Sequence, residues 1–364
     1  MSFPLLLSSE ATTLRNSLRQ QILALAAQSA DRIGFESLAL AVFRYQAAYN
    51  PLYAQYLQYL NVRTDQISEL IRIPFMPISF FKNHTVLTGT LANNGDVLAF
   101  ASSGTTSTDL TSRHIVPDPE LYDAISTQIF EQIYGPLRDV HILALLPSYL
   151  ERNNSSLVYM VQRFMMQSQR GQTTSFQGGF FLDNHQELTA QLRHLAQQTD
   201  LKKILLIGVT FGLLDWAESG SDLSFLGALP NLIVMETGGM KGRRKELLRD
   251  EVHELLMQKL GLPQIHSEYG MTELLSQAYS IGNGLFQPSS TLRVLLRDIN
   301  DPFMVYHNDY TRTGGINIVD LANLDSCAFI ETQDLGQYVG TTGDFRVMGR
   351  FDNSDVRGCN LMVL

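Results

Sequence analysis

Residues 184–209 read NHQELTAQLRHLAQQTDLKKILLIGV, a helical pattern from Asn184 to Gln198 followed by the apolar run Lys203 to Val209. A helix feeding a short aliphatic run is the repeating unit of a parallel sheet covered on both faces. The same unit occurs upstream, where helical segments at about Pro119 to Tyr134 and Ser155 to Gln169 precede strand-like runs at Ile142 to Leu146 and Gln172 to Phe180. Downstream, Asn231 to Met235 reads as another buried strand and Lys245 to Leu260 as a strongly periodic helix. The alternation predicts the α/β class with a largely parallel sheet.

Outside this core the period changes. Leu14, Leu18, Ile22 and Leu25 recur at helical steps, and Leu38, Leu40, Phe43 and Tyr49 continue an apolar face after a break at Gly34, so Glu10 to about Leu70 is expected to be helical. After Pro74 and Pro77 short strands and loops follow, among them Val97 to Ala101. From Leu292 onward short strands dominate, with turn signals at Gly314-Gly315, Gly336 and Gly343. The expected organisation is a helical N-terminal region over 1–95, an α/β core over 96–290 and a β-rich subdomain over 291–364.

The 364 residues are 45% apolar and 17% charged, which excludes disordered and fibrous classes. Lys and Arg number 27 against 36 Asp and Glu, a net charge of −9 that argues against nucleic acid as a partner. The longest apolar stretch, Ile204 to Trp216, contains Gly and Thr and reads as a buried strand; it falls short of a bilayer span. Met1 to Ser9 lacks the basic flank and long apolar region of a secretory signal. Two cysteines, Cys327 and Cys359, make no disulfide framework and fit a reducing cytoplasm.

Three stretches call for a chemical account. Ser102-Ser103-Gly104-Thr105-Thr106-Ser107 follows a strand-like run, and five hydroxyls around one glycine suit a loop wrapping a phosphate, although a solvated surface loop has the same composition. Glu268-Tyr269-Gly270-Met271-Thr272-Glu273 offers an aromatic face, a hydroxyl and a carboxylate for a base, a phosphate and Mg²⁺, or else a helix start capped by Thr272. Thr332-Gln333-Asp334-Leu335-Gly336, followed by Gly349-Arg350-Phe351-Asp352 and Arg357-Gly358, places an acid and an arginine where ribose hydroxyls could be held. No H-x-x-H, H-E-x-x-H or G-x-S-x-G pattern occurs, so zinc or serine hydrolysis has little support.

Taken in order with the turn Gly238-Gly239, these motifs resemble the adenylate-forming superfamily of acyl-CoA synthetases, firefly-type luciferases and peptide-synthetase adenylation domains. The resemblance covers about Leu98 to Gly358 and implies the large N-terminal domain of that fold, with stacked α/β sheets and a β-rich subdomain. It implies ATP and Mg²⁺ as cofactors. Ser102 to Ser107 would be the phosphate loop, Gly238 and Gly239 the turn against adenine, and Tyr269, with Gly270 and Met271, the adenine-stacking segment. Thr272 and Glu273 would serve phosphate and metal, Asp334 the ribose, and Arg350 would sit nearby. Tyr149, after Pro147, falls where the family lines its carboxylate site. Ser107 and Asp109 depart from the usual Gly and Lys of the loop, and Arg113 is a candidate replacement for the lost charge.

The chain stops five residues after Cys359, where the superfamily continues into a mobile domain carrying a catalytic lysine. In length, helical start and end, and in the stretches Pro74 to Lys82 and Arg357 to Leu361, it resembles the acyl-protein synthetases of bacterial fatty-acid reductase complexes. In that branch a cysteine near the C-terminus takes the acyl group as a thioester, and Cys359 occupies that position. The implied partners are a fatty acid and an acyl-reductase or carrier protein, with a homo-oligomer left open. The rivals are an acyl or aryl ligase of the phenylacetate-activating type that uses free CoA or a carrier thiol directly, and a degenerate non-catalytic nucleotide-binding adenylation domain. Cys327 reads as a core residue, His266 as a core or surface residue ahead of a lining of the substrate mouth, and the cluster Lys241, Arg243, Arg244 and Lys245 as a solvated helix start ahead of a phosphate attractor.

Overall fold

Alternation along the central strands decides the architecture. In the computed structural model, which describes residues 5–28, 34–92, 97–102, 111–148, 154–170, 178–198, 202–238 and 247–351, a seven-stranded sheet holds the middle of the chain. From edge to edge its strands are Gly179–Phe180, Val140–Leu145, Lys203–Gly208, Leu232–Glu236, His266–Tyr269, Ala278–Ser280 and Gln287–Pro288. The first five are parallel and the last two join as antiparallel neighbours.

Successive side chains leave opposite faces of this sheet, so its aliphatic runs feed two separate cores. Ile142, Ala144, Leu205, Ile207 and Met235 pack with Tyr122, Phe130 and Phe164 from helices Pro119–Tyr134 and Ser156–Gln169. Leu143, Leu145, Ile204, Leu206 and Val234 pack with Leu188, Leu192, Trp216 and Leu256 from helices His185–Ala196, Thr210–Ala217 and Arg249–Leu260.

The first strand in chain order, Val140–Leu145, lies between the second and third. Winding therefore reverses between Val140–Leu145 and Lys203–Gly208, and a crevice opens outside the carboxyl ends of the strands.

The C-terminal part forms a second, six-stranded sheet, in the order Val305–Tyr306, Leu292–Arg297, Gly314–Asp320, Phe329–Val339, Asp344–Arg350, with Met76–Pro77 added in parallel to Phe329–Val339. Helices Ser9–Ala26, Phe35–Tyr49 and Pro51–Tyr59 share the first core with this sheet, Phe43 and Tyr53 packing on Phe329 at ring distances of 5.8 and 6.3 Å. A buried ion cluster ties the first helix down: Arg15 donates to Asp325 through Nε at 2.9 Å and Nη2 at 2.6 Å, and to Asp118 at 2.6 Å.

Three expectations change. Ile204 to Trp216 is not one strand: it ends at Gly208 and the chain enters helix Thr210–Ala217, because both elements are buried and an all-apolar run carries no period. The helix expected from Lys245 begins at Arg249, where the Glu251 carboxylate accepts from the Leu248 N–H at 2.8 Å and fixes the start. Gly314, Gly315 and Gly336 lie inside strands rather than turns. A Cβ at Gly315 would meet the Arg297 guanidinium at 2.6 Å, and one at Gly336 would meet Ile316 at 2.7 Å, so these glycines leave room for side chains crossing the sheet.

Candidate active site

A cleft of about 200 Å³ occupies the crevice that the sheet topology creates. Its floor comes from residues just past three parallel strands: Val209, Thr237 with Gly238, and Gly270 with Met271 and Thr272. Its walls are Ala101, Tyr122, the start of helix Ser156–Gln169, Leu274 and Gln277. Gly238 has φ 75°, which a glycine adopts without strain.

The structure brings together Gly238, Gly270, Met271 and Thr272 in this cleft. Tyr269, the residue before Gly270, is buried with its ring between Phe286 and Phe345, at 5.8 and 5.6 Å, and its hydroxyl donates to Asp334 at 2.8 Å. The other Asp334 oxygen lies 3.2 Å from Arg350 Nε. Two motifs far apart in sequence thus meet. Burial raises the Asp334 carboxyl, while the Tyr269 hydrogen bond and the Arg350 charge oppose the rise.

Thr272 and Glu273 start no helix; they sit in a turn before strand Ala278–Ser280. That turn is held from the second sheet. Asp320, fully buried, accepts from the N–H groups of Leu275 and Ser276 at 2.8 and 2.9 Å and from the Ser276 hydroxyl at 2.6 Å. Asn323 donates to the Glu273 carbonyl at 2.7 Å. His114, which burial pushes down to about 4, lies 3.0 Å from the Thr272 carbonyl and 2.8 Å from the Ser326 hydroxyl. Replacing Ser276 by Ala is therefore expected to cost about 2 kcal/mol, since it strips one donor from a buried carboxylate. Urea unfolding measures this, and an unchanged midpoint would contradict the role given to Asp320.

Glu273 does not line the cleft but is fixed beside the root of the hydroxyl-rich loop. Its carboxyl, raised by burial, takes a hydrogen bond from the Ser112 side chain. Ser112 in turn exchanges bonds with Ser102, N to Oγ at 3.0 Å and carbonyl to N–H at 3.0 Å. One hard carboxylate oxygen donor beside a hydroxyl-rich loop matches Mg²⁺ shared with a polyphosphate, an ion that takes few protein ligands. Among the described residues no group of three or more His, Cys, Asp or Glu forms a self-sufficient metal cage. Gly238 offers open space where an adenine edge can approach.

Other assignments sort out locally. Arg113 is exposed on strand Arg113–Val116, opposite Ala101 of strand Leu98–Ala101. His266 is a core residue, 3.2 Å from the Tyr134 hydroxyl. Cys327 is fully buried, and burial pushes its thiol up to about 12. Ser103, Gly104, Thr105, Thr106, Ser107, Tyr149, Gly239, the cluster Lys241 to Lys245 and Cys359 lie outside the described residues. The sequence reading missed Tyr122, His114, Gln277 and Asp320, and did not single out Glu268. Only Glu268 had a local signal, a carboxylate inside the strand that ends at Tyr269.

The solved structures that this chain is similar to include a mutant form of coronafacic acid ligase from Pectobacterium brasiliense, at 14% identity and a TM-score of 0.39, covering 62% of this chain and 44% of that one. Another is an artificially fused adenylation and carrier di-domain, NpsA-ThdA, from Klebsiella oxytoca, at 10% identity and a TM-score of 0.35, covering 60% of this chain and 39% of that one. The chain spans less than half the length of either. Among curated protein sequences no match is found. Among the described residues no helix is long and apolar enough to cross a membrane. The family profile of the acyl-protein synthetase LuxE matches residues 6–364. The chain belongs to the LuxE acyl-protein synthetase family.

Proposed function

We propose that this protein is an ATP-dependent ligase that activates a fatty acid as acyl-AMP, takes the acyl group onto Cys359 and passes it to an acyl-reductase or carrier protein. The observation that carries this reading is the meeting of Gly238, Gly270 and Thr272 in one cleft beside the Tyr269–Asp334 pair, at the carboxyl ends of parallel strands.

In the first step a carboxylate oxygen of the acid bonds to the α-phosphorus of ATP, the bond to the bridging oxygen breaks, and pyrophosphate leaves. Thr272 and the Ser102 to Ser107 loop stabilise charge on the phosphate oxygens, while Asp334 holds the ribose hydroxyls. Glu273 would hold Mg²⁺ beside the phosphates, and the ion would supply charge neutralisation at the leaving group when bound. In the second step the Cys359 sulfur bonds to the acyl carbon, the carbon–oxygen bond to phosphate breaks, AMP leaves, and the thiol proton goes to solvent. A long-chain acid and a cytoplasmic setting complete the reading.

The test is intact-protein mass after incubation with MgATP and a panel of acids, without CoA, before and after neutral hydroxylamine. A hydroxylamine-labile adduct supports the reading; acid-dependent pyrophosphate release without an adduct moves it to a ligase using an external thiol. Asp334→Asn is expected to raise the KM for ATP about tenfold with kcat nearly unchanged, as loss of uniform binding does. A fall in kcat alone would remove Asp334 from the ribose.

A further inference from the structure

One wall of the cleft carries polar groups that the reaction above does not use. Glu268 is 6% exposed and lines the cleft, its carboxyl so close to Gly270 that a Cβ there would collide with Oε1. Strand alternation sends its neighbour Ser267 to the opposite face, toward His253 on helix Arg249–Leu260, and leaves Glu268 facing Tyr122 and Tyr279. Among the described residues no cation or donor is bonded to the Glu268 side chain. Gln277, 3% exposed, lines the same cleft; its Nε2 donates to the Leu275 carbonyl at 3.3 Å, and its Oε1 has no hydrogen-bond partner among the described residues. The hydroxyl of Tyr279, register partner of Glu268, is also without a partner among the described residues but lies behind the cleft lining.

A buried polar group left without a partner is costly, and an unsubstituted alkyl chain in this cleft would leave the Glu268 carboxyl without one. We propose that Glu268 and Gln277 form a specificity subsite for an acid whose acyl portion carries a hydrogen-bond donor, a hydroxyl or a protonated amine, within a few atoms of the carboxyl. The substituent lies near the reacting end because Glu268 packs against Gly270, two residues before Thr272. Burial and the nearby Glu236 carboxylate push Glu268 up to about 8. At neutral pH it is mostly a neutral carboxyl, able both to donate and to accept, and this matches a hydroxyl better than a cation.

This inference rests on the ligase reading, and its test separates the two. Acid-dependent ATP–pyrophosphate exchange by the full chain is measured with straight-chain alkanoates and their 2-hydroxy, 3-hydroxy and 2-amino counterparts of equal length. A hydroxy acid is expected to exceed its alkanoate by about tenfold or more in kcat/KM, because a site built to hydrogen-bond rejects the analogue lacking the group. Glu268→Leu is expected to erase that ratio, and Glu268→Gln to give an intermediate ratio. A preference for the amino acids instead assigns the ammonium as the donor.

An alkanoate equal to or better than all its substituted counterparts overturns the subsite, as does an unchanged ratio in Glu268→Leu. If Glu268→Leu fails to fold, the wild-type ratio and the Glu268→Gln ratio decide. No exchange with any acid overturns the ligase reading itself.

Discussion

Glu273→Gln is expected to lower ATP–pyrophosphate exchange by about 10²–10³-fold, the size found when one preorganised group that stabilises developing charge is lost. The substitution keeps the volume of a residue that is only 6% exposed and keeps an oxygen for the Ser112 hydroxyl, so thermal stability should hold. It removes the negative charge, and a neutral amide is a poor partner for a hard divalent cation. Burial holds the Glu273 carboxyl above the ordinary carboxylate range, so the ionised form is lost early on acidification. Protons compete with Mg²⁺ for that carboxylate, so wild-type exchange should fall on acidification, more so at low Mg²⁺, and the variant should lack this limb. Exchange assayed against Mg²⁺ concentration and pH reads both effects; a variant with wild-type rate would remove Glu273 from the metal.

Cys359→Ser is expected to abolish the hydroxylamine-labile acyl adduct completely while exchange stays within about twofold of wild type, because a step after acyl-AMP formation has been cut. Cys327 makes the experiment clean. It is the other of two cysteines, fully buried, with its thiol pushed up to about 12, so almost no thiolate is present at neutral pH. An adduct persisting in Cys359→Ser would place the acyl group elsewhere and sink the covalent step. An oxygen ester on the new serine would resist neutral hydroxylamine and be told apart by that resistance.

Legibility in the sequence followed the presence of local signals. Helix Pro119–Tyr134, expected at about those bounds, has ends with local causes: Asp118 caps it, Pro119 opens it and Gly135, at φ 82°, closes it. The join between strand and helix at Val209 was not legible, since burial on all sides removes the contrast on which periodicity depends. At the site, Gly270, Met271 and Thr272 stood in one motif and do line one cleft, whereas Tyr122, His114 and Asp320 come from separate elements and only the fold brings them together. Glycine misled where it served packing: at Gly315 its role is to admit Arg297.

The ion cluster at Arg15 sets a constraint on synthesis as well as on the finished molecule. Its main partner, Asp325, lies 310 residues later. At translation rates of about 5–20 residues per second, the guanidinium waits on the order of 15–60 s before that carboxylate leaves the ribosome. Until then the first helix has Asp118 alone of its two acidic anchors, and the core it shares with the second sheet does not exist. Until Asp325 emerges, helices Phe35–Tyr49 and Pro119–Tyr134 are the neighbours on which the first helix can rest, and the Arg15 clamp closes only when the second sheet is made.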